Sequence, residues 1–304
     1  MISVSVIVPV YNKVQYLSRS VDSILRQSMQ NVEILLIDDQ STDGSYELCQ
    51  RLYGALPQVR LLRNAANKGA GRTRNVGMEA AKGRYIAFVD ADDIIHQDYL
   101  KRMYQEALRR QADIVVECGS RITQPEVMET ELAKRAERLL DSSYMTAIYQ
   151  KLFSRDFLLR EHIRFHEHVF FEDVLFSLEG LLVAKNIIMM PDVLYEIIET
   201  PESITRGKNL VAKAPAYADS IVRAMRNLSG YMEKIPELQN NRTVRNMFLV
   251  YLLRLSMLAH FSPLLKEHSL EEVNGYIEPV MRKEFGDNYQ YVMLLLDWCM
   301  KENC

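Results

Sequence analysis

The 304-residue sequence has little of what marks secreted, membrane-spanning or disulfide-rich proteins. Its four cysteines, Cys49, Cys118, Cys299 and Cys304, show neither paired metal-ligand spacing nor the density of a disulfide scaffold, so we expect reduced thiols. No stretch stays uncharged and apolar for the roughly 20 residues that a spanning helix needs. No basic segment followed by an apolar core opens the chain, as a secretory signal would. The sequence therefore predicts a cytoplasmic protein.

An excess of positive charge is also missing. The 37 lysines and arginines are slightly outnumbered by 40 acidic residues, so no overall positive field is available to gather a phosphate backbone. Nucleic acid is therefore not an expected partner. Hydrophobic residues make up 48% of the chain, which is enough for a substantial core in one large domain with a smaller appendage.

The first 118 residues alternate between strand and helix patterns. β-Branched runs at 3–10 and 32–37 predict buried parallel strands, and they flank a helical pattern for which Asn12 is the candidate N-terminal cap. Further helices are predicted at 43–54, 70–82 and 98–110, and further strands at Val59–Leu62, Tyr85–Val89 and Asp113–Cys118. This order predicts an α/β fold with a mostly parallel central sheet and helices on both faces. Ligands of such sheets bind at the carboxyl ends of the strands.

The regular alternation stops after the sixth strand. Residues 121–142 predict a loop or a short helix, and helical patterns return at 144–161 and at Asp173–Lys185, before an extended pair around Pro191. From 208 onward the pattern is helical, so we expect a first domain at 1–207 and a helical subdomain at 208–304. Residues 247–261 are apolar on nearly all sides, which favours a buried core.

Acidic residues follow two of the predicted strands. Asp38 and Asp39 come directly after the second strand, and Asp90, Asp92 and Asp93 come directly after Tyr85–Val89. Carboxylates at one edge of a sheet repel each other unless a cation or hydrogen-bond donors offset the repulsion. Oxygen-only ligation suits Mg²⁺ or Mn²⁺ with open positions for a diphosphate, whereas the alternative is that these residues only form turns and caps.

Four sequence motifs resemble those of the family 2 inverting glycosyltransferases in their residues, order and spacing. This family has a GT-A type of nucleotide-sugar-binding fold. The motifs are VSVIVPVYN at 4–12, IDDQSTDG at 37–44, Asn67–Gly77 and Ala81–Asp93. A looser similarity continues through residues 151–153, 163–165, 171–173 and 194–205. The resemblance covers about two thirds of the chain and implies that 1–207 is a catalytic domain that binds a nucleotide sugar.

The resemblance implies a site for the nucleotide base. By the match, Tyr11 would stack on uracil or a similar base, and Asp39 would accept a hydrogen bond from its ring N–H. Asn67 and Gly69 would shape the loop before the third helix. The loop around Tyr11 completes this part of the site with Pro9, Val10 and Asn12.

The resemblance also implies a metal site at Asp90-Ala91-Asp92. Asp92 would bind the Mn²⁺ or Mg²⁺ ion that bridges the two phosphates, and Asp90 would contact the ribose or a metal-bound water, with Ala91 between them. Arg74 would lie near the nucleotide, and Asp93 would support the loop.

The family's base is a Glu-Asp pair at the start of a helix, which matches Glu172 and Asp173. Asp173 would deprotonate the acceptor hydroxyl, and Glu172 would position Asp173 or the acceptor, although Asp173 could simply cap the helix. The implied reaction moves a sugar from a nucleotide diphosphate sugar, expected to be a UDP-sugar, to a saccharide or lipid-linked saccharide in surface polysaccharide synthesis, with inversion. His162, His166 and His168 are interpreted as acceptor-side or surface residues.

One departure from the family pattern lies at Glu196–Thr200. Relatives often carry aromatic residues and an arginine there, and Arg206 is the candidate substitute. Alternative functions remain open: a catalytically inactive nucleotide-sugar-binding or scaffolding protein, a phosphoacceptor signalling domain, or a nucleotidyltransferase. The latter two fit poorly, because the acids follow the wrong strands and Pro9–Asn12 is not a glycine-rich loop. A homodimer through the C-terminal helices and peripheral association with the inner face of the membrane are likewise left open.

Overall fold

The computed structural model describes residues 2–140, 147–167, 169–170, 172–192, 194–200, 210–260, 268–286, 289–290 and 293. These residues form two compact units. The first lies within 1–131, 144–167 and 176–198, and the second lies within 132–143, 168–175 and 199–304. In the part of the chain so described, every helix is too short or too polar to cross a membrane.

A central sheet forms the core of the first unit. Its strands run in the order β3-β2-β1-β4-β8-β6-β9-β7, and β5 and β10 pair separately as a small antiparallel sheet. The strands are β1 Val4–Val10, β2 Val32–Asp38, β3 Val59–Arg63, β4 Tyr85–Phe88, β5 Ile94–Ile95, β6 Ile114–Glu117, β7 Glu126–Val127, β8 Lys151–Ser154, β9 Ile187–Met190 and β10 Tyr195–Glu196. The four strands β3-β2-β1-β4 pair in parallel, which confirms the predicted mostly parallel sheet.

Helices connect the parallel strands of this unit. They are α1 Leu17–Leu25, α2 Ser45–Tyr53, α3 Ala70–Ala80, α4 Tyr99–Arg110, α6 Arg155–Arg160 and, from residue 176 onward, most of α7 Glu172–Val183, with a 3-10 turn at Gly119–Arg121. Apolar residues at helical spacing explain how α1 packs, because Leu17, Val21 and Ile24 are all buried. The α3 helix contacts β1 and β2, so its N-terminus is held beside the ends of those strands.

The predicted helix at 144–161 is wrong over most of the described part of its length. Residues Lys151–Ser154 form β8, which inserts antiparallel between β4 and β6, and only Arg155–Arg160 is helical. Lys151, Leu152 and Phe153 are fully buried, as expected for a strand inside a sheet. Ser154 then caps α6 by accepting a hydrogen bond from the Phe157 N–H. Residues 141–146 lie outside the described residues.

The second unit is helical. It contains α5 Leu132–Leu140, α8 Leu210–Met232, α9 Pro236–Gln239, α10 Arg242–His260 and α11 Leu270–Phe285. The α8 helix packs against α10 and α11, and α10 also packs against α5. The apolar stretch at 247–261 lies largely on α10, where Phe248, Tyr251 and Leu252 are buried, as predicted. The short helix expected within 121–142 is α5.

Candidate active site

The loop after β1 is fixed by hydrogen bonds to the loop after β2. Pro9 and Val10 close β1, and the Val10 carbonyl accepts a hydrogen bond from the Asp39 N–H at 2.8 Å. Asn12 has a positive φ of 51°, and its Oδ1 accepts from the Thr42 N–H at 2.8 Å. The prediction that Asn12 caps α1 is therefore wrong. The N-cap residue of α1 is Tyr16, and the Asn12 side chain instead joins the loop after β1 to the loop after β2. Between them Tyr11 is 47% exposed, so its ring is accessible to a ligand.

Asp39 organises the loop before α3. Its carboxylate accepts from Asn64 Nδ2 at 2.7 Å, from the Lys68 N–H at 2.9 Å and from the Gly69 N–H at 2.8 Å. Gly69 has a φ of 80°, a backbone conformation that residues other than glycine rarely adopt. The exposed Asn67 accepts a further hydrogen bond from the Gly69 N–H. Because three protein donors engage this buried carboxylate, Asp39 determines the shape of the loop at 64–69.

Arg74 and Asp90 form an ion pair beside this loop. Arg74 Nη2 lies 2.9 Å from Asp90 Oδ1, and the arginine side chain is only 8% exposed whereas that of Asp90 is 33% exposed. The guanidinium also lies over the ring of Phe165, 5.6 Å from its centroid. The chain thus holds a buried arginine against an accessible carboxylate. Ala91, the next residue, is buried.

Asp92 pairs with a lysine that the sequence did not single out. Lys13 Nζ lies 2.5 Å from Asp92 Oδ2, and the two side chains are 20% and 16% exposed. Lys13 directly follows the loop of Tyr11 and Asn12, so this pair joins the end of β1 to the loop after β4. A positive charge thus faces the carboxylate that was predicted to bind metal.

Asp93 supports the same loop from beneath. It accepts hydrogen bonds from the Tyr195 hydroxyl at 2.8 Å and from the Ile198 N–H at 2.9 Å, and the same hydroxyl accepts from the Asp90 N–H at 3.2 Å. Burial, and next the negative charge of Asp90, raise the pKa of Asp93 to about 6. Tyr195 is therefore a support of the acidic loop that sequence reasoning missed, although the looser resemblance at 194–205 includes it.

The departure at Glu196–Thr200 begins with this supporting strand. Glu196 pairs with Ile94 in the small sheet, and Ile198 donates to Asp93. Glu196 and Ile198 thus support the acidic loop through their backbone. Arg206, the candidate substitute for the family's arginine, lies outside the described residues.

Each acid at the strand ends has its own partner within the protein. Asp38 is paired with Arg63 at 3.1 Å, Asp90 with Arg74 and Asp92 with Lys13. In the described residues no group of three or more His, Cys, Asp or Glu side chains gathers as a metal site. Lys13, Arg63 and Arg74 thus offset the repulsion expected between the two acidic clusters. Asp92 and Asp90 fit only an ion that takes most of its ligands from elsewhere, such as a bound diphosphate.

Glu172 and Asp173 occupy the first turn of α7, as predicted from the sequence. They belong to the second unit, whereas the acidic loop of Asp90–Asp93 belongs to the first. Both side chains are partly exposed and both take part in polar interactions. Their catalytic role stays a prediction.

The histidines before this pair are accounted for in part. His166 Nε2 lies 2.7 Å from Glu179 Oε1, and Glu179 is buried, so His166 is held by a structural partner. His162 adopts a positive φ of 54° at the end of α6. His168 lies outside the described residues.

Comparison with known proteins agrees with this arrangement. The model of the family "Glycosyl transferase family 2" matches residues 5–168, which is more than half of the chain and stops short of Glu172. The uncharacterized glycosyltransferase EpsJ of Bacillus subtilis is 31% identical over 221 residues, covering 66% of this chain and 62% of EpsJ. A poly(ribitol-phosphate) beta-glucosyltransferase of Bacillus spizizenii is 32% identical over 196 residues, covering 62% of this chain and 31% of that protein.

A solved structure shares the fold. S. aureus TarS 1-349 in complex with UDP-GlcNAc has a TM-score of 0.72 and 21% identity, with 99% of this chain and 88% of that chain covered. This chain therefore spans less than two thirds of the length of both curated relatives but nearly the whole of the TarS fragment. From the match over 5–168, the chain belongs to glycosyl transferase family 2 and has its GT-A fold.

Proposed function

We propose that this protein is a metal-dependent inverting glycosyltransferase that moves a sugar from a UDP-sugar to a hydroxyl of a saccharide or a lipid-linked saccharide. Family membership supports the reaction class. The complex of TarS with UDP-GlcNAc supports the choice of a UDP-sugar. The similarity to a poly(ribitol-phosphate) beta-glucosyltransferase supports a role in surface polysaccharide synthesis.

The observation that carries this proposal is the convergence of three loops at the carboxyl ends of β1, β2 and β4. Asn12 joins the first loop to the second, Asp39 shapes the loop before α3, and Lys13 joins the first loop to Asp92. This edge presents an exposed Tyr11 ring on one side and the Arg74–Asp90 pair on another. An aromatic platform, a rigid backbone loop and paired charges suit a base, a ribose and a diphosphate in turn.

In the proposed site Asp92 and Asp90 would hold Mn²⁺ or Mg²⁺ together with the two phosphates. The ion would offset the charge that grows on the leaving diphosphate. Tyr11 would stack on uracil, Asp39 would keep the loop at 64–69 in place and offer its remaining acceptor capacity to the base, and Arg74 would orient Asp90.

Asp173 is the proposed base, with Glu172 as its positioning residue. Its carboxylate would take the proton of the acceptor hydroxyl as that oxygen attacks the anomeric carbon. The bond between that carbon and the diphosphate oxygen would break, and the electron pair would leave with UDP. One displacement with no covalent intermediate inverts the configuration. The first turn of a helix favours the ionised carboxylate that this step requires.

Two further features of the proposal concern the acceptor and the helical unit. A lipid-linked acceptor would bring the protein to a membrane surface, and the helices of the second unit would serve for loose attachment or for a homodimer. Sedimentation with anionic vesicles checks the first, and light scattering checks the second.

Nucleotide binding provides the first test. A ligand that binds only the folded state raises the melting temperature, so UDP with Mn²⁺ should raise it more than GDP or TDP with Mn²⁺. Equal shifts for all nucleotides would contradict the UDP assignment. No shift with any nucleotide would contradict the proposed function.

Turnover provides the second test. Asp173→Asn should lower the rate of UDP release from a UDP-sugar by about 10²- to 10⁴-fold, since the general base is lost, while UDP affinity stays unchanged. Asp156→Asn is the matched control, because Asp156 is an exposed acid in the first turn of α6. Full activity of Asp173→Asn would refute its role as base. Binding of UDP-sugars without any turnover in the wild type would favour the inactive, scaffolding alternative.

A further inference from the structure

Lys13 is held by its backbone while its side chain reaches across the site. Its N–H donates to Ser45 Oγ at 2.9 Å, and its carbonyl accepts from the N–H groups of Tyr16 and Leu17 at 3.0 and 2.9 Å. From this fixed position the ammonium lies 2.5 Å from a carboxylate 79 residues further along the chain. The ammonium can therefore leave Asp92 by side-chain rotation alone, because a lysine stem has four flexible carbons.

Two negative charges of the acidic loop are each neutralised by one cation. Asp90 is neutralised by Arg74 and Asp92 by Lys13. The Arg74 side chain is 8% exposed and lies over the ring of Phe165, whereas the Lys13 side chain is 20% exposed and its ammonium lies 5.8 Å from the centroid of the Tyr16 ring. Of the two cations, Lys13 is the one with room to move.

We propose that Lys13 is an internal counter-cation that competes with the divalent ion for Asp92 and moves to the diphosphate of the donor when the ion binds. This inference rests on the proposed function. A divalent ion at Asp92 and an ammonium at hydrogen-bonding distance from the same carboxylate repel each other, so one must yield. The diphosphate brings the negative charge that the displaced ammonium then pairs with.

The proposal makes two opposite predictions for one substitution. Lys13→Met removes the competitor, so Mn²⁺ alone should bind the nucleotide-free protein about two- to fivefold more tightly, as expected for a partly exposed ion pair. The same substitution removes a cation from the diphosphate, so UDP should bind the Mn²⁺-saturated protein about tenfold more weakly. A residue with only a structural role would not move the two affinities in opposite directions.

The experiment measures free Mn²⁺ by electron paramagnetic resonance and UDP affinity by calorimetry. Lys13→Arg, which keeps the charge, should restore both affinities toward those of the wild type. Lys101→Met on α4 is the matched control, because Lys101 is an exposed lysine of the same unit, and it should change neither affinity. The double variant Lys13→Met with Asp92→Asn should lose the gain in Mn²⁺ affinity. Thermal unfolding of each variant shows that it is folded.

The outcomes separate this inference from the function on which it rests. The role of Lys13 would be overturned if Lys13→Met left the Mn²⁺ affinity unchanged, or if Lys13→Met and Lys101→Met weakened UDP binding equally. In either case UDP binding by the wild type would still support the proposed function. A gain in Mn²⁺ affinity that persists without Asp92 would also overturn it. A wild type that binds no UDP under any condition would refute the proposed function itself.

Discussion

Replacement of Asp93 by asparagine should change how the stability of the protein depends on pH. Asp93 is 4% exposed, and burial, followed by the charge of Asp90, raises its pKa from 3.8 to about 6. The folded state therefore holds the proton more tightly than the unfolded state. The stability linked to this proton is complete below pH 3.8 and is lost as the pH rises through about 6.

The size of the effect follows from the pKa shift. A rise from 3.8 to about 6 corresponds to about 3 kcal/mol of unfolding free energy, at about 1.36 kcal/mol for each pKa unit. Asparagine carries no titrating proton and keeps an oxygen that can accept from Ile198. It loses the second carboxyl oxygen, which accepts the hydrogen bond of the Tyr195 hydroxyl, and this loss costs about 1 kcal/mol. Asp93→Asn should thus be the less stable protein near pH 4 and the more stable one at pH 7.5.

Guanidinium unfolding followed by circular dichroism between pH 4 and 7.5 measures this difference. The free energy of unfolding of the variant minus that of the wild type should rise by about 2 kcal/mol across the range, because part of the full effect is already lost at pH 4. Burial also raises the pKa of Glu117, to about 7, but Glu117 is present in both proteins and its effect cancels in the difference. Asp156→Asn controls for the loss of one negative charge. A difference that is flat, or that falls with pH, would refute the assignment of Asp93 as a destabilising buried carboxylate.

Two further predictions concern the loop after β1 and the packing of α3. Tyr11→Ala should weaken UDP binding by about 3- to 10-fold, as measured by calorimetry, because the stacking ring is lost. Leu159→Ala, at a side chain of similar exposure, should leave UDP binding unchanged. Equal affinities for both variants would show that Tyr11 does not bind the base. Gly77→Ala should lower the unfolding free energy by about 1–3 kcal/mol, because an added Cβ would lie 2.5 Å from Ile7 Cγ2. Gly230→Ala in α8, where the space around the added Cβ is open, should instead raise the unfolding free energy by about 0.5–1 kcal/mol. An unfolding free energy of Gly77→Ala equal to that of the wild type would show that α3 can shift away from β1.

The sequence predicted the β1 to β6 part of the fold well because each element there carries its own local pattern. Buried parallel strands are continuous β-branched runs, as in Val4–Val10, and amphipathic helices repeat apolar residues every three to four positions, as in α1. Strand β8 escaped prediction because four residues are too few to show a period, and its two neighbours in the sheet come from distant parts of the chain. The hydrophobic periodicity of a segment does not show which distant strands pair with it.

The candidate site shows the same division between local and distant information. The sequence placed Tyr11, Asp39 and Asp92 at strand ends, and it favoured a divalent metal as the group that offsets the repulsion between the acids. Which cation faces which acid depends on side chains that meet only in the folded chain, so the pairing of Lys13 with Asp92 left no local signal. Tyr195 was missed for the same reason, since its hydroxyl acts 102 residues away from Asp93 in sequence.

The antiparallel insertion of β8 has a consequence for synthesis on the ribosome. Strand β4 binds β1 along one edge, while its other edge is completed only by residues 151–154, which leave the ribosome long after Tyr85. A nascent chain that ends before β8 therefore carries bare hydrogen-bonding edges on both β4 and β6, and such edges invite pairing between neighbouring chains. The sheet therefore stays open between β4 and β6 until β8 has been made, and truncations between residues 118 and 150 would yield aggregates rather than a smaller domain.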